Sequence, residues 1–343
     1  MYYSRSVSDL SLFSGLKRLI HVYFSAGGIG QPLSLLCKNC PLITELSLYD
    51  VVNTPGVAAD LSHICTVSKV KGYLPEDDGI RKALEGSDFV VISAGVPRKP
   101  GMTRDDLFSI NSKIIIELGE SIAKFSPDAF VLVITNPINS TIPIIAEVLK
   151  EYNVFNPKKL FGITTLDGVR LATFIAEHFG TAAGLNCYEI PVIGGHSGTT
   201  IIPLISQSKP KIELNQDELK SLIYKVQYAG DQVVEAKNGN GSATLSMAYS
   251  AFIFIEALIK IFYASLGHCG IVQSSFIYLP GIPGGNEIVK RVNLEFFAVQ
   301  VELGVDGAQK VKDFGAISCY ECQILNEAIL ELEEIIYYFN IQF

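Results

Sequence analysis

One of the chain's five histidines has the surroundings of a proton carrier. His196 lies in Pro191-Val-Ile-Gly-Gly-His196-Ser-Gly, after an apolar run and between small neighbours that leave room for a ligand. Imidazole is the side chain best suited to exchange a proton near neutral pH, so general acid or base chemistry is the reading this context suggests. A buried structural histidine is the bland alternative. Upstream, Leu166-Asp167-Gly168-Val169-Arg170 has a helical pattern, and Asp167 and Arg170, three apart, share a helix face. Further upstream, Ser93 to Leu107 contains Gly95, Pro97, Pro100 and Gly101, which predict a loop rather than a helix. Arg98 and Arg104 lie in it. A loop that closes on a ligand can deliver guanidinium groups, which grip a carboxylate through two parallel hydrogen bonds. A solvated basic loop is the alternative.

A second chemistry is written near the N-terminus. The apolar run Leu19–Ser25 is followed by Gly27-Gly28-Ile29-Gly30 and a helix-like segment, Gly28–Asn39. A strand, a glycine turn and a helix N-terminus let a backbone approach a pyrophosphate and favour its charge. Asp50 ends the next apolar run, Ile43–Asp50, about 20 residues after Gly30, where an acid can bind ribose hydroxyls. A carboxylate there repels a 2′-phosphate, so NAD is expected over NADP.

The elements that must hold these groups alternate in type. Phe89–Ser93 and Phe130–Thr135 are continuous apolar runs, as in strands buried on both faces, and helical patterns separate them. That alternation predicts a parallel sheet with crossover helices. Past residue 164 the pattern changes. Helices are expected at Asp167–Phe179, Gln216–Lys237, Ala243–Ala264 and Glu321–Tyr338, with short strands at Tyr188–Ile193, Ile271–Ile277 and Leu294–Val301.

Composition narrows the classes further. The chain has 343 residues, 48% hydrophobic and 18% charged, enough for a large core in one or two packed domains. The net charge of −8 and the lack of a broad basic patch argue against nucleic acid as a partner. The most apolar stretch, Ser250 to Val272, is interrupted by Glu256, Lys260 and His268 and is expected to be a buried helix, not a membrane span. Seven cysteines, an odd number, fit a reducing compartment. Cys37/Cys40 and Cys319/Cys322 have Cys-x-x-Cys spacing but fall in helix-like segments far apart in the chain, so no metal site is expected. Met1 to Arg18 holds five serines, three basic residues and one acid, a weak likeness to a mitochondrial transit peptide. A disordered segment is the alternative.

Taken in order, Gly27–Leu35, Tyr49–Ile64, Ala94–Phe108, Thr135–Ile145, Thr164–Arg170, Pro191–Gln207 and Ala236–Met247 resemble the malate dehydrogenases of the mitochondrial and bacterial type. Glu295–Gly304 is a weaker match, and the resemblance runs from about Val22 to the end. It implies an α/β fold: a Rossmann-type doubly wound parallel sheet over 19–163, then an α+β catalytic domain over 164–340. Residues 1–18 would precede both. The implied reaction is the NAD-dependent interconversion of malate and oxaloacetate. His196 would take the hydroxyl proton and Asp167 would hold its imidazole, while Arg98, Arg104 and Arg170 bind the substrate carboxylates. Asn136 would touch substrate and cofactor. Ser25, Ala26, Gly27, Gly28, Ile29, Gly30, Asp50, Asn111, Ile134, Thr135 and Met247 would bind or enclose NAD. A homodimer is implied as well. Arg98 separates this reading from a lactate-type dehydrogenase, which carries a neutral side chain there. The chain departs from the family at Phe24, where a glycine normally makes the tight turn, at Gly168, usually a larger apolar residue, and at Gln300, often proline. Phe24 predicts weakened NAD binding and raises a second class of reading, an impaired paralogue kept as a binding partner, although every reacting group is retained.

Overall fold

The computed structural model describes residues 19–23, 26–95, 104–181, 188–262 and 270–342. Phe24, Ser25, Arg98 and the segment 1–18 lie outside them, as does the side chain of Arg104.

The first half is β1 (Leu19–Tyr23), α1 (Gly30–Asn39), β2 (Glu45–Tyr49), α2 (Thr54–Ser62), β3 (Lys69–Tyr73), α3 (Gly79–Leu84), β4 (Phe89–Ile92), α4 (Arg104–Phe125), β5 (Phe130–Val133), α5 (Ile138–Glu151) and β6 (Leu160–Ile163). Its strands are parallel in the order β3-β2-β1-β4-β5-β6. The order reverses between β1 and β4, which opens a crevice at the strands' carboxyl ends, the usual ligand position in such sheets. The apolar runs read as doubly buried strands are so: every residue of β4 and β5 is buried.

The second half is α6 (Thr165–Phe179), β7 (Val192–Gly194), β8 (Ile201–Pro203), α7 (Gln216–Gln227), α8 (Ala229–Ala236), α9 (Leu245–Phe262), β9 (Val272–Tyr278), α10 (Gly285–Val292), β10 (Phe296–Gly304), β11 (Gly307–Val311) and α11 (Cys319–Gln342). Its strands pair antiparallel and continue the same sheet, since β9 pairs with β6 through Gly162↔Phe276 and Ile163↔Ser275. Gly162 permits that junction: a Cβ there would lie 2.7 Å from Ile138 and 2.9 Å from Ile142. By length and composition α9 could cross a membrane. Here it packs on α1 and α6, with Ser250, Phe254 and Leu258 fully buried. Phe262 at its end meets Phe89 and Phe130 edge-on, at 5.4 and 5.2 Å, tying the second half to β4 and β5.

Three expectations need correction. The loop after β4 does not reach Leu107, because α4 begins at Arg104: the prolines and glycines all precede that point, and Asp105 and Asp106 follow it, where the helix macrodipole favours acids. The helix expected over Gln216–Lys237 is two helices, since Tyr228 leaves the helical region at φ −109° and ψ 12°. The strand expected over Tyr188–Ile193 shrinks to Val192–Gly194, with one isolated bridge from Glu189 to Lys209. Cys37 is buried in α1 with Cys40 at its end, and burial pushes the Cys37 thiol's pKa up.

Candidate active site

Two elements of the second half meet at the histidine. Thr164-Thr165-Leu166-Asp167 has the spacing of a helix capping box, in which the acid would turn back to the cap. That box does not form: Thr164 makes no side-chain cap bond, and its hydroxyl is buried without a partner among the described residues. Asp167 points elsewhere. Its Oδ2 lies 2.6 Å from Nδ1 of His196, with the carboxylate fully buried and the imidazole 7% exposed. Oδ1 of Asp167 has no hydrogen-bond partner among the described residues. A buried carboxylate on Nδ1 fixes the ring's orientation and leaves Nε2 to exchange a proton. Arg170 stands one turn further along α6, half-buried. Burial lowers its pKa and the Asp167 charge opposes that shift, so it stays a cation able to hold a carboxylate.

The loop carrying His196 is shaped by glycine. Gly194 has φ +102°, and a Cβ there would lie 2.1 Å from the Thr200 carbonyl oxygen. The single turn Gly198–Thr200 follows, capped by Ser197. Behind it α11 is fastened twice: Thr199 donates to Glu331, and buried Glu321 accepts from the Ser206 amide at 2.9 Å and hydroxyl at 2.5 Å.

The cofactor candidates gather at the β1/β4 crevice. Gly27 and Gly28 are exposed, Gly30 is buried, and α1 starts after Ile29 with no side-chain cap and no acid in its first turn. An uncapped N-terminus free of acids suits an anion. Asp50, 4% exposed, accepts the Ala26 amide at 2.9 Å through Oδ2 and the Val51 amide at 2.7 Å through Oδ1. It therefore braces the glycine turn, and its remaining lone pairs can accept ribose hydroxyls. Asn111, buried on α4, donates from Nδ2 to the Asn136 carbonyl at 2.8 Å. Ile134 and Thr135 are buried after β5, Asn136 is exposed, and the Asn136–Pro137 peptide is cis. Met247 is buried on α9. Just before it Thr244 approaches the glycine turn, so that a Cβ on Gly28 would lie 2.9 Å from its methyl group. Lys237 secures that loop through the Ser242 carbonyl at 2.7 Å and the Thr244 hydroxyl at 3.3 Å. These features fit a dinucleotide.

Sequence reasoning passed over Asn139, Ser197, Thr200, Thr244 and, on α11, Glu321 and Glu331. The paired glycines before His196 were the one local sign that something packs closely there.

Comparison with known proteins bears on both halves. A family model described as lactate/malate dehydrogenase, NAD binding domain, matches residues 19–162. Another, described as lactate/malate dehydrogenase, alpha/beta C-terminal domain, matches residues 164–339. The chain is 50% identical over 315 residues to the mitochondrial malate dehydrogenase of Mus musculus, covering 92% of this chain and 88% of that one. It is 48% identical over 320 residues to malate dehydrogenase 2, mitochondrial, of Arabidopsis thaliana, with the same coverage. The solved apo malate dehydrogenase of Picrophilus torridus superposes with a TM-score of 0.80 over 95% of this chain and 98% of that one; at 22% identity this likeness speaks for the fold alone.

Proposed function

The chain belongs to the lactate/malate dehydrogenase family, and from that premise we propose that it interconverts malate and oxaloacetate with NAD, His196 moving the proton. The observation that carries the chemistry is the buried 2.6 Å contact between Asp167 and Nδ1 of His196. In malate oxidation Nε2 takes the hydroxyl proton, and Asp167 stabilises the imidazolium that forms. In oxaloacetate reduction the same nitrogen returns the proton to the carbonyl oxygen. Bound NAD supplies the hydride exchange. Arg170 holds the carboxylate next to the reacting carbon. Arg98 and Arg104 hold the distal one, and Asn136 lies between substrate and cofactor. Asp50 selects NAD by its charge, while Gly27 to Gly30 admit the pyrophosphate, with Ser25 and Ala26 leading into the turn. Asn111, Ile134, Thr135 and Met247 bind or enclose the NAD.

The mitochondrial names of the relatives support a mitochondrial placement, which we read as the matrix, over the cytoplasmic alternative. A homodimer rests on the family resemblance alone. The net charge of −8 and the packed faces of α9 support a partner list without nucleic acid or membrane.

Steady-state NADH oxidation with oxaloacetate and with pyruvate tests the reading. Oxaloacetate is the preferred ketoacid if it holds; a preference for pyruvate means a lactate-type enzyme, and no turnover of either means an impaired paralogue. Two variants sharpen the result. Hydrogen bonds to a charged group contribute roughly 1.5–3 kcal/mol, so Arg98→Gln lowers kcat/KM for oxaloacetate by at least about tenfold. It leaves pyruvate unharmed, because pyruvate has no distal carboxylate. Arg170→Gln damages both substrates. Equal damage to both by Arg98→Gln would remove Arg98 as the distal clamp.

A further inference from the structure

A side chain with no role so far grips the main chain of His196. Asn139 lies in the first turn of α5, three residues after Asn136, and is 1% exposed. Its Oδ1 accepts the backbone N–H of His196 at 2.9 Å. Its Nδ2 donates to the Ser197 hydroxyl at 3.0 Å and the Thr200 hydroxyl at 3.3 Å. The Thr200 hydroxyl also accepts the Ser197 amide at 3.1 Å and donates to the Ser197 carbonyl at 2.7 Å. Both ends of the amide are thus committed to the loop that carries the imidazole. Gly195 makes room for the grip: a Cβ there would lie 2.5 Å from the Thr200 hydroxyl and 2.8 Å from Nδ2 of Asn139.

The need for a clamp follows from the loop itself. His196 is flanked by Gly194 and Gly195 before it and Gly198 after it, residues with the freest backbones and no side chains to pack. Yet the ring must stay 2.6 Å from a carboxylate carried by a different element, α6. The base of the clamp is itself fixed. The Thr141 hydroxyl donates to the Thr135 carbonyl at 2.9 Å, and Asn111 holds the Asn136 carbonyl at 2.8 Å.

We propose that Asn139 is a positioning residue for the proton transfer: by holding the His196 main chain it keeps Nδ1 on Asp167 and references the ring to the segment that carries Asn136. The proposal rests on the dehydrogenase reading for its catalytic consequence, and on the clamp geometry alone for its structural one.

Three variants test it, each read in two ways. The first readout is the low-field proton resonance of the His196 Nδ1–H···Asp167 bond, identified by its loss in His196→Asn. The second is kcat for oxaloacetate beside the dissociation constant of NADH. A small misplacement of a reacting group costs up to about 100-fold, so Asn139→Ala is expected to lose at least about tenfold in kcat, to shift NADH affinity less than about threefold, and to lose or broaden the resonance. Asn139→Asp keeps the acceptor for the His196 amide; it retains the resonance and recovers most of kcat. Gly195→Ala, which pushes on the clamp from the other side, behaves like Asn139→Ala. The proposal is overturned if Asn139→Ala merely melts earlier while keeping kcat and resonance, or if Asn139→Asp is as damaged as Asn139→Ala. Should Asn139→Ala not fold, Gly195→Ala against Asn139→Asp decides in the same way. Should the wild-type protein fail to reduce oxaloacetate, the reaction is refuted, and the resonances of the variants still decide the clamp.

Discussion

The Asp167–His196 pair and the glycine turn are built on opposite plans. The pair is made of side chains that are present: buried, cross-linked between α6 and the loop after β7, and braced by Asn139. The turn is made of side chains that are absent: Gly27 and Gly28 are exposed, and Asp50, just past β2, accepts the Ala26 amide. Proton transfer needs one reacting atom held in place, whereas a pyrophosphate needs backbone within reach. Damage therefore takes different forms in the two regions. At the pair it comes from removing atoms, and it should appear in turnover. At the turn it comes from adding atoms, and it should appear in cofactor affinity.

The largest effect that would sharpen this contrast is at Asp167. Asp167→Asn removes the charge that stabilises the imidazolium, and we expect kcat to fall at least about 100-fold, the lower range for a positioned acid–base group. The same substitution relieves a fully buried carboxylate with one oxygen unpartnered among the described residues. The variant should therefore melt no lower than the wild type, the mark of a group kept for chemistry at the expense of stability. A large fall in melting temperature together with normal turnover would erase the contrast.

At the turn, Gly28→Val places a branched side chain where even a Cβ would lie 2.9 Å from the Thr244 methyl group. We expect NADH affinity, followed by fluorescence titration, to weaken by about tenfold, or 1.4 kcal/mol, with kcat at saturating NADH largely kept. A fall in kcat at unchanged affinity would place Gly28 outside the cofactor path.

The smallest effect lies between the two regions in kind. Gly168 is helical, and a Cβ there would meet nothing within 4 Å among the described residues. Gly168→Ala next to Asp167 should thus stabilise the protein by roughly 0.5–1 kcal/mol, without touching kcat. Thermal unfolding reads the gain; a loss of stability would mean that the first turn of α6 needs its glycine.

The same contrast explains what the sequence could reveal. β4, β5 and the glycine turn are local facts: a run of four or more apolar residues can only be buried, and glycines before a helix advertise an open backbone. The start of α4 had a local mark, since every proline and glycine of the loop precedes Arg104, but the break at Tyr228 had none: Tyr228-Ala229-Gly230 carries no proline and keeps the helical period across the break. Asp167 was readable as a helix-face partner of Arg170, and the family resemblance paired it with His196. Nothing local indicated that the capping-box spacing of Thr164 and Asp167 would go unused. Asn139 was illegible for a deeper reason. A buried amide must find partners, but which partners depends on a contact spanning 57 residues of sequence, and only the assembled sheet brings α5 beneath the loop after β7.

The separation of proton chemistry from cofactor binding is tested most directly by His196→Asn, assayed for oxaloacetate-dependent NADH oxidation while the same preparation is titrated with NADH. We predict a fall in kcat of at least about 100-fold, with NADH affinity within about twofold of the wild type. Near-normal turnover, or a loss of cofactor binding in step with activity, would contradict the account.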